Sequence, residues 1–146
     1  MSTIPRQYLQ QQVKQALAED IGSGDVTARL IPQQQTATAH IIARESAVLC
    51  GCQWLDEVFG QLDDSITVEW KAQDGEQINA QQLLCIITGP ARPILSGERT
   101  ALNFLQTLSG TASLTQKYVG AIQGTGCQIL DTRKTIPNLR LAQKYA

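Results

Sequence analysis

The sequence is poor in the residues that most often build a metal site, a nucleic-acid platform or a membrane span. It holds one histidine, His40, and aromatic residues make up only 5% of its 146 residues. No apolar run approaches the roughly 20 residues that a membrane-spanning helix needs. Residues 1–12 are polar and rich in glutamine, unlike a secretory signal peptide. These absences favour a soluble, cytoplasmic protein, and a hydrophobic content of 42% is enough for a packed core.

Four cysteines are present, but their spacing is wrong for a metal centre. Cys50 and Cys52 form a C-x-C pair, whereas Cys85 and Cys127 stand alone within apolar runs. A structural zinc site needs two paired groups of ligands, and His40 has no partner at ligand spacing. We therefore expect reduced, mostly buried thiols and no bound metal.

Acidic residues are almost absent from the last third of the chain. Residues 1–98 contain six Lys or Arg and twelve Asp or Glu, a net charge of −6. Residues 99–146 contain six Lys or Arg and only Asp131, a net charge of +5. This asymmetry is compatible with a surface that faces an anionic ligand, with a solvated basic face, or with a face that contacts the acidic half of the chain. Nucleic acid is a poor candidate because aromatic residues are not interleaved with the basic ones.

The hydrophobic pattern changes between helical and strand periods and predicts an α+β fold. Apolar residues recur at helical spacing in residues 9–17 and again in residues 54–62. Strands are predicted over residues 36–49, 66–70 and 83–88. One face of the first strand would carry Thr36, Thr38, His40 and Ile42.

The second half of the chain predicts a helical stretch followed by the beginning of another unit. Residues 93–122 have a helical pattern, which we expect its glycines to divide, because glycine weakens a helix interior. These glycines are Gly97, Gly110 and Gly120. Residues 127–131 resemble a short buried strand, and residues 138–146 the start of a helix. A lone strand and half a helix cannot bury their own faces, so we expect the chain to stop early in a second domain.

The end of the predicted strand 127–131 carries a dense group of polar and cationic side chains. Its members are Thr132, Arg133, Lys134, Arg140 and Lys144. In parallel α/β architectures, ligands bind at the carboxyl ends of strands. Arginine can hold a carboxylate through two parallel hydrogen bonds, and lysine acts as a point charge for phosphate. The pattern favours a site for a carboxylate- or phosphate-rich ligand over a solvated basic edge.

Arg99 is a second cation of interest. The sequence places it near the start of a helix, where a cation opposes the helix dipole unless it is directed elsewhere. From the residues alone, a surface contact with Glu98 or Asn103 is the favoured interpretation.

Two long motifs identify a known family. Residues 97–110, GERTALNFLQTLSG, and residues 131–146, DTRKTIPNLRLAQKYA, closely resemble signature stretches of quinolinate phosphoribosyltransferases. Shorter matches are EDIGSGDVTARLIP at 19–32, ARESAVLCG at 43–51 and DGEQI at 74–78. The resemblance covers nearly the whole chain in order.

The resemblance implies an architecture and an assembly. Residues 1–112 would form an N-terminal α/β sandwich-like domain. Residues 113–146 would form the connecting helix and the truncated first strand and helix of an incomplete α/β barrel. The family enzyme is a homodimer whose active site is shared across the interface.

The resemblance also implies roles for individual residues. Arg99 corresponds to an arginine that reaches into the active site of the partner subunit to hold the pyridine dicarboxylate, which reverses the preference for a surface contact. Arg133 matches a quinolinate-binding arginine, and Lys134 matches a lysine of the same pocket near the phosphoribosyl donor. Thr132 is a neighbouring pocket residue.

The implied reaction joins quinolinate to phosphoribosyl pyrophosphate, with Mg²⁺ bound to that donor, and releases pyrophosphate and carbon dioxide to leave nicotinate mononucleotide. Arg140 and Lys144 would line the phosphate side. The family's next motif, a glycine-rich run followed by a His-Arg pair and a lysine, does not occur in residues 1–146, and no residue of the chain is assigned a catalytic role. We therefore expect the chain alone to show no turnover and to carry no bound cofactor.

Two other functions fit parts of the pattern. A related phosphoribosyltransferase, using nicotinate or belonging to molybdate operons, would share the architecture but differ in the substrate pocket. A lipoyl- or biotinyl-carrier domain would explain a strand–turn–strand unit around Asp74, with Lys71 as the nearest modifiable lysine. Lys71 lacks the flanking pattern of such domains.

Overall fold

The computed structural model of the protein describes residues 4–22, 24 and 26–146. Its helices are α1 (Arg6–Ile21), α2 (Val26–Arg29), α3 (Cys52–Leu62), α4 (Ala91–Ala121) and α5 (Arg140–Tyr145). Its strands are β1 (Thr36–Ile42), β2 (Ala47–Val48), β3 (Thr67–Trp70), β4 (Gln77–Ile78) and β5 (Leu83–Pro90). The mixed helix and sheet content confirms the α+β prediction.

The larger sheet has three antiparallel strands in the order β1-β5-β3, and β2 pairs with β4 in a separate two-stranded sheet. Residues along β1 alternate between exposed and half-buried, as expected for a strand with one face on the core. The face predicted to carry Thr36, Thr38, His40 and Ile42 is the exposed one. Its opposite face packs on the core through Ala37, Ala39 and Ile41.

Helices α3 and α4 supply a large share of the core. The apolar stripe predicted in residues 54–62 buries Trp54, Leu55, Val58 and Phe59. Two serine hydroxyls of α4 join the helix to the chain around β2, because Ser113 Oγ accepts from the Val48 N–H at 2.8 Å and Ser109 Oγ accepts from the Cys50 N–H at 2.9 Å. The Val48 N–H of this short strand and the nearby Cys50 N–H thereby find acceptors outside a sheet.

Helix α4 corrects one expectation, because it is a single helix of 31 residues and its glycines do not divide it. Gly97 lies where α4 crosses α3, and a Cβ built on it would come within 2.6 Å of Leu62 Cδ1 and 3.0 Å of Phe59 Cε1. The close approach of the two helices outweighs the roughly 1 kcal/mol by which glycine weakens a helix. Within the described part of the chain, no atom outside the local helix backbone comes within 4 Å of a Cβ placed on Gly110 or Gly120.

The predicted strand at residues 127–131 is also wrong. This segment has no regular secondary structure, and none of the described strands pairs with it. Ile129 and Leu130 are 46% and 77% exposed. A strand is stable only when a neighbour accepts and donates its backbone hydrogen bonds, and none does so here. The following helix does form, as α5. No helix within the described residues has the length and apolar character to cross a membrane.

Candidate functional site

A pocket of ≈ 330 Å³ lies between α1 and α4. It is lined by Ala16, Glu19, Asp20, Arg99, Thr100, Asn103, Phe104, Thr107, Leu108 and Leu139. All but Leu139 come from the two helices, and Leu139 lies just before α5. The pocket is therefore lined by residues of the first long motif and by Leu139 from the middle of the second.

Arg99 lines this pocket but differs from its expected setting. It is the ninth residue of α4, so it lies beyond the first turn, where the helix dipole acts most strongly. Its Nε lies 2.6 Å from Asp20 Oδ1, so its partner is neither Glu98 nor Asn103. The Arg99 side chain is 70% exposed, whereas that of Asp20 is only 20% exposed. The buried Thr100 hydroxyl also donates to Asp20 Oδ2, at 3.3 Å.

The basic motif that follows residue 131 lies on the surface. Thr132, Arg133 and Lys134 are all exposed. The Thr132 hydroxyl oxygen accepts a hydrogen bond from the Lys134 N–H at 3.0 Å, which bends the chain at this point. Among the described residues, no ion pair or side-chain hydrogen bond engages the charged ends of Arg133 and Lys134. Both cations are accessible to a ligand from solvent.

The two cations of α5 are engaged within the segment. Lys144 Nζ lies 2.6 Å from Asp131 Oδ2, and Asp131 is the one acidic residue of the basic third. Arg140 Nε donates to Thr135 Oγ1 at 3.4 Å. These contacts fold the 131–135 stretch back onto α5, so the four basic residues lie in one compact segment.

Helix α1 holds this segment through a partly buried polar network. Gln12 Nε2 donates to the Asn138 carbonyl at 2.7 Å, and the Tyr8 hydroxyl donates to the same oxygen at 3.0 Å. Gln12 Oε1 accepts from Trp54 Nε1 at 2.5 Å. Asn138 has a φ of 65°, in the left-handed region that asparagine tolerates better than most residues. The turn before α5 is therefore attached to both α1 and α3.

A second contact attaches α5 close to the start of α3. The Tyr145 hydroxyl donates to Asp74 Oδ2 at 2.8 Å, and Asp74 Oδ1 accepts from the Cys52 N–H at 3.0 Å. The Tyr145 ring lies 5.7 Å from that of Trp54. Burial, followed by this contact with Asp74, raises the pKa of Tyr145 above its usual value. The phenol therefore remains a proton donor well into the alkaline range.

Three thiols near this contact have raised pKa values and should react slowly. Burial raises the pKa of Cys50 to about 12, with a further contribution from Asp74, and burial raises that of Cys85 to about 12, with a contribution from Asp56. Burial and a hydrogen bond to Asp74 also raise the pKa of Cys52. Thiols that hold their protons are poor nucleophiles and metal ligands. Over the part of the chain that is described, no three His, Cys, Asp or Glu side chains converge as a metal site would require.

The sequence singled out Arg99, Arg133 and Lys134 but missed the residues that hold their surroundings in place. Asp20 and Gln12 were not identified, although Asp20 lies within the 19–32 motif. One signal was available for Asp20. Two acids, Glu19 and Asp20, stand at the carboxyl end of α1 with no basic residue in that turn, an arrangement that the helix dipole disfavours unless a cation approaches from elsewhere.

Two family models match the chain. The N-terminal domain of quinolinate phosphoribosyl transferase matches residues 25–109, and its C-terminal domain matches residues 111–146. The carrier-domain hypothesis receives no support from these matches. Lys71 pairs with Glu69 and precedes the Asp74-Gly75 turn by three residues, so it is not at the tip of a hairpin.

Relatives match along most of the chain. A probable nicotinate-nucleotide pyrophosphorylase (carboxylating) of Bacillus subtilis is 38% identical over 128 residues, which cover 88% of this chain and 44% of that protein. The chloroplastic nicotinate-nucleotide pyrophosphorylase (carboxylating) of Arabidopsis thaliana is 39% identical over 144 residues, which cover 97% and 41%. Both names describe the reaction that the motifs imply.

Solved structures agree with the fold. The nicotinate-nucleotide pyrophosphorylase of Francisella tularensis superposes with a TM-score of 0.93 at 44% identity, covering 98% of this chain and 51% of that chain. NadC of Streptococcus pyogenes superposes with a TM-score of 0.94 at 36% identity, covering 99% and 52%. The chain thus spans about half the length of the solved proteins it matches and somewhat less of the curated ones. Since the N-terminal family model alone matches more than half of its residues, the chain belongs to the quinolinate phosphoribosyl transferase family.

Proposed function

We propose that this chain supplies the carboxylate-binding cations of an enzyme that converts quinolinate and phosphoribosyl pyrophosphate into nicotinate mononucleotide, pyrophosphate and carbon dioxide, a pentosyl transfer in NAD biosynthesis. The single observation that carries the proposal is the exposed Arg133-Lys134 pair, whose charges are not neutralised within the described residues. The names of the relatives support the reaction, and the net charge of +5 in the last third supports an anionic ligand.

The chemistry of the substrates explains why such a site is needed. Quinolinate carries two carboxylates on adjacent ring carbons, and the planar guanidinium of Arg133 is suited to hold one of them through paired hydrogen bonds. Lys134 would neutralise charge beside it, and Thr132 would contribute a hydroxyl. Once the ring nitrogen has been ribosylated, it stabilises the electron pair left by decarboxylation. The protein therefore has mainly to bind and orient the ring.

The phosphoribosyl donor would lie next to this pair. Arg140 and Lys144 are the cations available for its phosphates, although Lys144 would first have to exchange its contact with Asp131. Mg²⁺ would arrive bound to the pyrophosphate of the donor. The described residues present no carboxylate cluster for it, so we assign it no ligand in this chain.

Arg99 would serve a second copy of the chain. Its side chain is mostly exposed while its partner Asp20 is mostly buried, as expected of a cation that extends from one subunit toward another. We therefore propose a homodimer with shared sites, in the cytoplasm, where the four free cysteines would stay reduced. Sedimentation of the purified protein as a monomer at every concentration tested would contradict the shared site.

Quinolinate binding can be measured directly by NMR titration of the ¹⁵N-labelled chain. Two charge-assisted contacts worth roughly 1.5–3 kcal/mol each would give a Kd of about 1 mM, a range that chemical-shift titration covers. We expect shifts around residues 132–134, and binding weakened at least tenfold in R133A/K134A. K117A is the matched control, because it removes a surface cation of α4 far from the motif in sequence.

Nicotinate, with one carboxylate, distinguishes the alternative. Quinolinate should bind more tightly than nicotinate by roughly tenfold, the value of one additional charge-assisted contact. Equal affinity for both acids would favour a nicotinate-type or molybdate-operon homologue. Absence of quinolinate-induced shifts at these residues, or equal weakening by K117A, would disprove the proposed function.

A further inference from the structure

Asp20 has no role in the proposed reaction, yet it occupies an electrostatically unfavourable position. It lies in the last turn of α1, next to Glu19, where the partial negative charge of the helix end repels a carboxylate. Its side chain is only 20% exposed, so water does little to relieve that repulsion. A mostly buried acid at the carboxyl end of a helix needs a compensating partner.

The partner is Arg99, and the contact leaves part of the guanidinium unused. Asp20 Oδ1 forms an ion pair with Arg99 Nε, and the two atoms lie 2.6 Å apart. Because Nε lies at the stem of the planar group, the edge formed by the two terminal nitrogens is left for another acceptor. Thr100 donates to the other carboxylate oxygen of Asp20, and Thr100 is 3% exposed. The Asp20 carboxylate is thus also held by Thr100, a buried residue of α4.

Side-chain exposure increases from Thr100 through Asp20 to Arg99, and this order indicates the role of the three residues. Thr100 is buried, Asp20 is mostly buried and Arg99 is mostly exposed, so the three residues form a chain that runs from the core to the surface. A long arginine side chain on a helix surface otherwise samples many rotamers, and fixing it in advance removes part of the entropy lost on binding.

We propose that Asp20 is a positioning residue that holds the guanidinium of Arg99 by its Nε, so that the terminal N–H edge is presented, already oriented, to a ligand carboxylate. This inference rests on the proposed function, because it assumes that Arg99 meets quinolinate. Asp20 itself does not touch the ligand.

The orientation can be observed without a ligand. The Nε–Hε signal of Arg99, assigned with R99K, should exchange with water roughly tenfold more slowly than in D20N, because a charge-assisted hydrogen bond protects the proton. Arg92 provides an internal control, because its Nε donates to the Ile31 carbonyl at 2.7 Å and should be unaffected. E19Q is the matched control variant, since it removes the same charge one residue earlier in α1.

Ligand binding then tests the consequence. Quinolinate Kd should rise roughly threefold to tenfold in D20A and D20N, and D20A/R99A should be no weaker than R99A alone, because residues that act through each other are not additive. A thermal melt of each variant shows whether folding has changed. A lower melting temperature with unchanged Kd would mean that the pair only fastens α1 to α4, and the proposal would be wrong.

The remaining outcomes separate this inference from the proposed function. If R99A weakens quinolinate binding and D20A does not, Asp20 has no positioning role, whereas the proposed function survives. If D20A weakens binding equally with and without Arg99, Asp20 acts on its own and the proposal fails. If neither R99A nor R133A/K134A changes binding, the proposed function fails and takes this inference with it.

Discussion

The N-terminal α/β region and the C-terminal segment 122–146 are built in opposite ways. The fully buried large side chains all lie between residues 13 and 108. In the C-terminal segment, Ala142 is the one residue classed as buried, and several large apolar side chains are exposed. Yet the exposed cations on which the proposed function depends, Arg133 and Lys134, lie in this second region.

If the proposed function holds, the residues that stabilise the fold and those that bind the ligand lie in different regions of the chain. The core supplies most of the free energy of folding, whereas the basic segment is attached to it by hydrogen bonds at Asn138 and Tyr145 and by the packing of one face of α5 around Ala142. Segments with few buried contacts open at lower free energy than the core. A ligand site on such a segment can adjust to its substrate, but it relies on α1 and α3 for its position.

Thiol reactivity gives the largest expected difference between the two regions. At pH 8, a thiol with a pKa of about 12 is ionised in roughly one molecule in ten thousand, and burial adds a steric barrier. Cys50 and Cys85 are buried, whereas Cys127 is exposed. A disulfide reagent should therefore modify Cys127 at least roughly a thousandfold faster than these two. C127S should abolish the fast phase, and all four thiols should react in denaturant. A fast phase that persists in C127S would show that the core opens readily.

The free energy of unfolding should depend strongly on the first region and weakly on the second. Phe59 is 1% exposed, and F59A should lower the free energy of unfolding by about 3–5 kcal/mol through lost burial and a cavity. Leu130 is 77% exposed, and L130A should change it by less than about 0.5 kcal/mol. Urea unfolding followed by tryptophan fluorescence measures both. A comparable loss in L130A would mean that segment 122–146 packs more closely than its exposure indicates.

How far the sequence could predict the structure also differs between the regions. The stripe from Trp54 to Phe59 and the alternation along β1 were readable because burial repeats at the period of each element. The contact between Arg99 and Asp20 could not be predicted in this way, because it depends on how α1 crosses α4. The strand at residues 127–131 was predicted from a short apolar run. The prediction was wrong because a strand also needs a paired neighbour. Composition predicted an anion site in the basic segment, and that stays a prediction, but it did not predict the contacts that hold the segment in place.

Glycine substitutions in α4 test why it remains one helix. G97A should destabilise the protein by about 1–3 kcal/mol, because the added methyl group would collide with Leu62 and Phe59. G110A should stabilise it by about 0.5–1 kcal/mol, because space is open there and alanine is the better helix former. Thermal and urea unfolding of the two variants measure the opposite signs. Equal stabilisation by both would mean that α3 and α4 do not approach closely at Gly97.

The smallest effect we expect concerns the attachment of α5. Y145F removes the hydrogen bond to Asp74 but keeps the ring beside Trp54, so it should cost about 1 kcal/mol. That loss should appear as faster amide hydrogen exchange in α5, with exchange in α3 and β5 unchanged, because only the attachment is weakened. Y118F is the matched control, since Tyr118 is 59% exposed on α4. If Y145F instead accelerated exchange across the core, the basic segment would be part of the cooperative unit, and the distinction between a stable core and an attached basic segment would be lost.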